Sequence, residues 1–266
     1  MARVAPVGRR RGTLSMRGVA IACTVTVLCA SAWAPRASAT SLVAVSLPGE
    51  FVLAADSRLL TARLLTTGIL ATGAESSKCK IHQARRCVFA TTGAARATGL
   101  PTGVSFEASH LAAEACEVAA DVDAIAAHFV TIARRPFIAM YRVTPPELRR
   151  HGRTLQAYFL ARRAGRLAML HTGLRMKGEH DAEVIPATEV LPGELKANRE
   201  AMALFQLERP RDSIVEMVAR IVELEGKVRP DVVGGPVSIL RINTATGGAA
   251  WERPGVCPAI DRALLP

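Results

Sequence analysis

The stretch PRASATSLVAVSLPGEFVLAADSR, Pro35 to Arg58, places a hydroxyl residue, Thr40, directly behind Ala37-Ser38-Ala39, and a carboxylate, Asp56, sixteen residues further on. Small-x-small is the pattern that signal peptidase accepts, so a cut after Ala39 would make Thr40 the first residue. A first-residue threonine unites an attacking hydroxyl with an α-amine that takes its proton, and needs no histidine. The unperturbed amine titrates near about 7.7–8.0, so a large share is neutral near physiological pH, and a nearby cation enlarges that share. An amide nitrogen is not basic, so the chemistry exists only after the cut. What it permits is attack on a carbonyl and cleavage of an amide or peptide bond through an acyl ester.

The segment ahead of Thr40 has the order of an export signal. Residues 1–39 hold six arginines and no acid, and the 17-residue stretch GVAIACTVTVLCASAWA from Gly18 to Ala34 is uncharged. Pro35 then breaks the apolar run before the Ala-Ser-Ala site. The competing reading is an uncleaved anchor, because such a run is at the lower limit for crossing roughly 30 Å of hydrocarbon. The expected organisation is a signal peptide over 1–39 and one domain over 40–266, located outside the cytoplasm as a periplasmic or secreted protein. Once the leader is removed, no stable membrane contact is expected.

Losing six arginines leaves 28 basic against 23 acidic residues, about +5 in place of +11. Short clusters such as LRRHGR (148–153) and ARRAGR (161–166) read as solvated faces and turn flanks. Aromatics make up only 4% of the chain, so there is little to stack on bases and no nucleic-acid partner is expected. Cys79, Cys87, Cys116 and Cys257 remain after the leader; they allow three pairings, or buried thiols at Cys79 and Cys87, and spacing does not choose among these. No CxxC or HxxxH pattern points to a metal, and no GxSxG or phosphate-type glycine loop is present. No cofactor is expected.

The opening TSLVAVSLPGEFVLAADSR resembles that of proteasome β-type subunits, members of the N-terminal nucleophile hydrolases. Those subunits begin with threonine, run through two strands and reach an ADSR element. Further on, KCKIH resembles the family's active-site lysine element, FATTGAA its oxyanion strand and glycine turn, and DVVGGPVSI (231–239) its Asp-x-x-Ser-Gly-Gly stretch. The resemblance implies a four-layer αββα sandwich, with Thr40 as nucleophile and Asp56 beside Lys80 to keep its ammonium oriented. It also implies an oxyanion-stabilising N–H near Gly93 and a role for Asp231 in positioning the terminal amine. Lys80 is preferred because Ile81 follows it, and Lys78 is the alternative. The implied substrate is a peptide or other amide, and the implied assembly is a homo-oligomer. Three departures stand out: Gly234 occupies the place of the family's serine, the family's mid-chain serine has no match, and the connection from Asp56 to Lys80 is longer than usual. A relative that keeps the sandwich as a non-catalytic scaffold or binding protein, still tethered by its leader, is the second reading.

The elements that would carry these residues can be read from pattern. TSLVAVSL and FVLAADS are apolar β-rich runs on either side of Pro48-Gly49-Glu50, hence a hairpin, and CVFATTG (87–93) is a third strand. Apolar residues at helical spacing from Phe106 to Arg135 predict two helices, with Asp121 as the cap between them. LQAYFLARRAGRLAMLHTGL (155–174) predicts a hairpin turning at Ala164-Gly165, and AEVIPATE a short strand. Helices are expected over Leu195–Leu207 and Asp212–Leu224, with Gly226 just past the latter, and PVSILRINTATGGAAWE closes the chain as a hairpin. An α+β layered domain buries such an order of elements.

Overall fold

The computed structural model describes residues 41–59, 62–64, 70–72, 76–85, 87–94, 96–97, 106–144, 149, 152–208, 213–230 and 233–261. Residues 1–40, which include Thr40, and Asp231 lie outside the described residues. The fold is mixed α+β, with two five-stranded antiparallel sheets and, among the described residues, four helices of at least one full turn.

The first sheet begins with the expected hairpin. Strand β1 (Leu42–Leu47) pairs with β2 (Glu50–Ala55), and the chain reverses at Pro48-Gly49, where Gly49 takes a φ of +85°. The second sheet contains β3 (Ile81–Ala84), β4 (Cys87–Gly93), β5 (Thr154–Arg163), β6 (Arg166–Met176) and β7 (Ala182–Glu189), in the order β7-β6-β5-β4-β3. The β5–β6 hairpin turns at Ala164-Gly165 as its sequence predicts, with φ of +48° and +87°, the left-handed pair that a two-residue turn between twisted strands requires. Strand β8 (Leu195–Lys196) and the closing hairpin β9 (Ser238–Asn243) and β10 (Ala249–Arg253) complete the first sheet as β8-β1-β2-β9-β10. Strand β7 is an edge, which is where Pro186 costs no ladder hydrogen bond.

The helices are α1 (Ala108–Val118), α2 (Val122–Val143), α3 (Arg199–Glu208) and α4 (Ile214–Val228). Asp121 caps α2 as expected, its side chain accepting from the Asp123 N–H. The helix outruns its expected end at Arg135, because Phe137, Met140 and Tyr141 continue the buried stripe of Ile125, Phe129 and Ala133 beyond Pro136. Leu195 and Lys196 were expected to open a helix, yet they pair with Val45 and Ala44 of β1, and α3 starts only after Asn198, whose Oδ1 accepts from the N–H groups of Glu200 and Ala201. The capping amide sets that boundary. Helix α4 starts from Ser213 and runs through Gly226, where the sequence placed its end.

Alternation along the strands divides the apolar side chains into three clusters. Leu42, Ala44 and Leu53 of the first sheet meet Val88, Leu160 and Met169 of the second. Val43, Val45 and Val52, on the opposite face of β1 and β2, pack against Val218, Ile221 and Val222 of α4. Phe89 and Phe159, on the other face of the second sheet, pack against Phe129 and Phe137 of α2. Strands buried on both faces explain why β1 and β2 read as unbroken apolar runs rather than alternating ones. Each fully buried phenylalanine or leucine here contributes about 1.5–3 kcal/mol relative to exposure.

Candidate functional site

The site lies where β1 begins and β2 ends. Antiparallel pairing sets Leu42 opposite Ala55, so Ser41 and Asp56 emerge together at the same end of the sheet. The Ser41 N–H donates to Asp56 Oδ1 at 2.9 Å, and the Asp56 N–H points back to the Ser41 carbonyl at 3.4 Å. Asp56 Oδ1 also accepts from Lys80 Nζ at 2.8 Å, while Oδ2 accepts from the N–H groups of Arg58 at 3.2 Å and Gly234 at 3.1 Å. One buried carboxylate thus gathers four donors, one from its own turn and three from distant parts of the chain. Such saturation is what allows a charge to remain in a core.

Between the two candidate lysines the geometry selects Lys80. It is 8% exposed and bonded to Asp56 just ahead of β3, whereas Lys78 is exposed and uses its backbone N–H on the Ser57 carbonyl. Burial pushes the Lys80 ammonium below its ordinary value, and the attraction of Asp56 opposes that shift. Cys79, between the two lysines, is disulfide-bonded to Cys257, with Cα atoms 4.6 Å apart; Cys87 of β4 pairs with Cys116 of α1. Of the three pairings open to the sequence, this is the one adopted.

Gly93 ends β4 with φ +87°, and a Cβ there would stand 2.2 Å from the Thr154 carbonyl oxygen, so no larger residue fits against β5. It borders a cleft of about 290 Å³, together with Leu42, Tyr158, Asn198, Glu225 and Arg229. Burial raises the Tyr158 hydroxyl to about 12. Gly234 packs against Arg58. A Cβ there would meet the Arg58 guanidinium at 3.1 Å, and that guanidinium donates to the Pro230 carbonyl.

Glu225 escaped the sequence reading. It extends from α4 to the cleft, its Oε2 accepting from Ser41 Oγ at 2.6 Å, and it is only 3% exposed. Burial raises its carboxyl above the ordinary range, opposed by the Ser41 hydroxyl and Arg229, with Asp56 adding to the rise. A signal was available: spaced from Val218, Ile221 and Val222 at helical intervals, Glu225 is an acid on an apolar stripe.

The structure therefore brings together Asp56, Lys80 and Ser41, the residue after Thr40, and sets Gly93 and Glu225 on the same cleft. Among the described residues, no group of three or more His, Cys, Asp or Glu side chains could hold a metal ion, and no helix is long and apolar enough to cross a membrane. Compared with models of known protein families and with curated protein sequences, the chain gives no match.

Proposed function

We propose that this chain is an exported N-terminal threonine hydrolase of the proteasome-like kind, which cleaves an amide or peptide bond through an acyl ester on Thr40 once its leader is removed. The observation that carries the reading is the convergence on Asp56 Oδ1 of the Ser41 N–H and the Lys80 ammonium. That N–H belongs to the peptide linking residues 40 and 41, so the carboxylate that orients the lysine also holds the backbone from which Thr40 extends. The three apolar clusters, which alternate with the two sheets, support a four-layer αββα sandwich.

In this reading the Thr40 hydroxyl oxygen attacks the substrate carbonyl carbon and its proton passes to the neutral α-amine. The Lys80 ammonium lowers the proton affinity of that amine, and an N–H near Gly93 stabilises the oxyanion. Collapse breaks the carbon–nitrogen bond, and the protonated α-amine of Thr40 returns the proton to the leaving amine. Water then adds to the ester as the α-amine takes its proton, and the amine passes that proton to the Thr40 oxygen as the carbon–oxygen bond breaks and the acid departs. Asp231 is assigned to positioning the amine. The substrate is a peptide or other amide, and self-association into a homo-oligomer belongs to the same proposal.

N-terminal sequencing of the exported protein, followed by labelling with a peptide epoxyketone, tests the reading. A chain that begins at Thr40, is modified there, and loses modification in Thr40→Ala supports it. A chain that begins at Ser41 or beyond, keeps its leader, or labels equally well without the Thr40 hydroxyl favours the non-catalytic scaffold.

A further inference from the structure

Helix α4 packs Val218, Ile221 and Val222 onto the first sheet, and the next position on that stripe is Glu225. A leucine there would pack without the cost of desolvating a carboxyl. Glu225 instead grips Ser41, its Oε2 accepting from Ser41 Oγ at 2.6 Å across 184 positions of sequence, while Oε1 accepts from Nη1 of Arg229, the residue that ends α4, at 3.4 Å. Ser41 is itself fully buried, and its N–H is already held by Asp56 at 2.9 Å. Two carboxyl groups on different elements therefore fix the two polar ends of one residue. The residue that follows Thr40 is thereby anchored at two points, its peptide nitrogen and its hydroxyl.

We propose that Glu225 is a positioning residue of the site, acting through the Ser41 hydroxyl to aim Thr40 at the carbonyl bound in the cleft. The inference rests on the threonine-hydrolase reading above and adds a residue that this reading does not use. Aim matters because misplacing a reacting atom by about 1 Å can cost on the order of a hundredfold in rate. Asp56 holds Ser41 at one point, about which the residue can pivot, and Glu225 supplies the second.

The test is the kinetics of epoxyketone labelling at Thr40 in the mature exported protein, with the maximal rate constant and the half-saturating concentration measured separately, in wild type, Glu225→Gln, Glu225→Leu, Ser41→Ala and the Ser41→Ala/Glu225→Leu pair. Glutamine still accepts from the Ser41 hydroxyl, whereas leucine keeps the packing and removes the acceptor. Glu225→Leu and Ser41→Ala are expected to lower the maximal rate constant about tenfold or more, with half-saturation nearly unchanged, Glu225→Gln to recover most of the loss, and the pair to be no slower than the slower single variant. Wild-type rates in Ser41→Ala overturn the proposal, even if Glu225→Leu fails to fold. So do a change confined to half-saturation and a Glu225→Gln variant as slow as Glu225→Leu. A wild type that begins at Thr40 and never labels removes the reaction itself, a result distinct from labelling that ignores Glu225.

Discussion

Lys80 Nζ and Asp56 Oδ1 meet at 2.8 Å with both side chains almost wholly withdrawn from water. The pair is asymmetric. Lys80 has one hydrogen-bonded partner in the contact, whereas Asp56 also serves the N–H groups of Ser41, Arg58 and Gly234.

That asymmetry predicts unequal losses. In Lys80→Met the carboxylate keeps three donors and the fold loses roughly 1–3 kcal/mol, while Asp56→Ala strands an ammonium and three N–H groups together and loses roughly 3–5 kcal/mol. Urea denaturation of the two variants measures both. Equal losses would mean that the backbone donors contribute little.

Adjacent glycines should respond differently to a methyl group. At Gly235, φ is +75° and a Cβ would stand 2.6 Å from Ser57 Oγ, so Gly235→Ala meets backbone strain and a clash together. At Gly234 the obstacle is the Arg58 guanidinium at 3.1 Å, the far end of a flexible side chain. Gly235→Ala is expected to cost about 1–3 kcal/mol and Gly234→Ala less. Gly234→Ser, which adds a hydroxyl beside the same guanidinium, is expected to move Arg58 away from the Pro230 carbonyl. Thermal melts rank the three, and a Gly234→Ala variant weaker than Gly235→Ala would contradict the ranking.

What the sequence disclosed and what it hid follow from the range of each interaction. The Gly49 and Gly165 turns and the Asp121 cap are local, and each stands where its residues predict. Helix α2 runs past Pro136, and Leu195–Lys196 join a sheet instead of a helix, because partners remote in sequence outweigh local preference. Asp56 and Lys80 were singled out through a family resemblance, since nothing within the intervening residues specifies their contact. Glu225 was missed although its place on an apolar stripe marked it; its partner, Ser41, lies at the opposite end of the domain sequence.

The Cys79–Cys257 bond ties the residue before Lys80 to the C-terminal segment, which also bonds β3 through the Asp261 N–H and Gln83 Oε1 at 3.0 Å. Cysteines 178 positions apart close a long loop, so Cys79→Ser/Cys257→Ser is expected to lose roughly 2–5 kcal/mol. Peptide mapping of the unreduced protein should recover Cys79 with Cys257 and Cys87 with Cys116. Recovery of Cys79 with any other cysteine would refute the arrangement.

Glu225 also makes stability depend on pH, with a sign opposite to that of an ordinary salt-bridged carboxylate. Its folded-state value lies above the ordinary 4.5, chiefly through burial, so between the two values the native protein holds a proton that the unfolded chain has released. The contribution is fully present below 4.5 and is lost as pH rises through the raised value. Asp56 adds to the cost of ionising Glu225, while the Ser41 hydroxyl and the half-buried Arg229 offset it, and the buried Lys80 also feels the Glu225 charge. Glu225→Gln removes this titration and leaves the other groups in place. The melting temperature of wild type relative to Glu225→Gln should therefore fall as pH is raised from 4 towards 8, as differential scanning fluorimetry would detect. A wild type that gains on the variant over the same range would mean that Arg229 and the Ser41 hydroxyl outweigh burial.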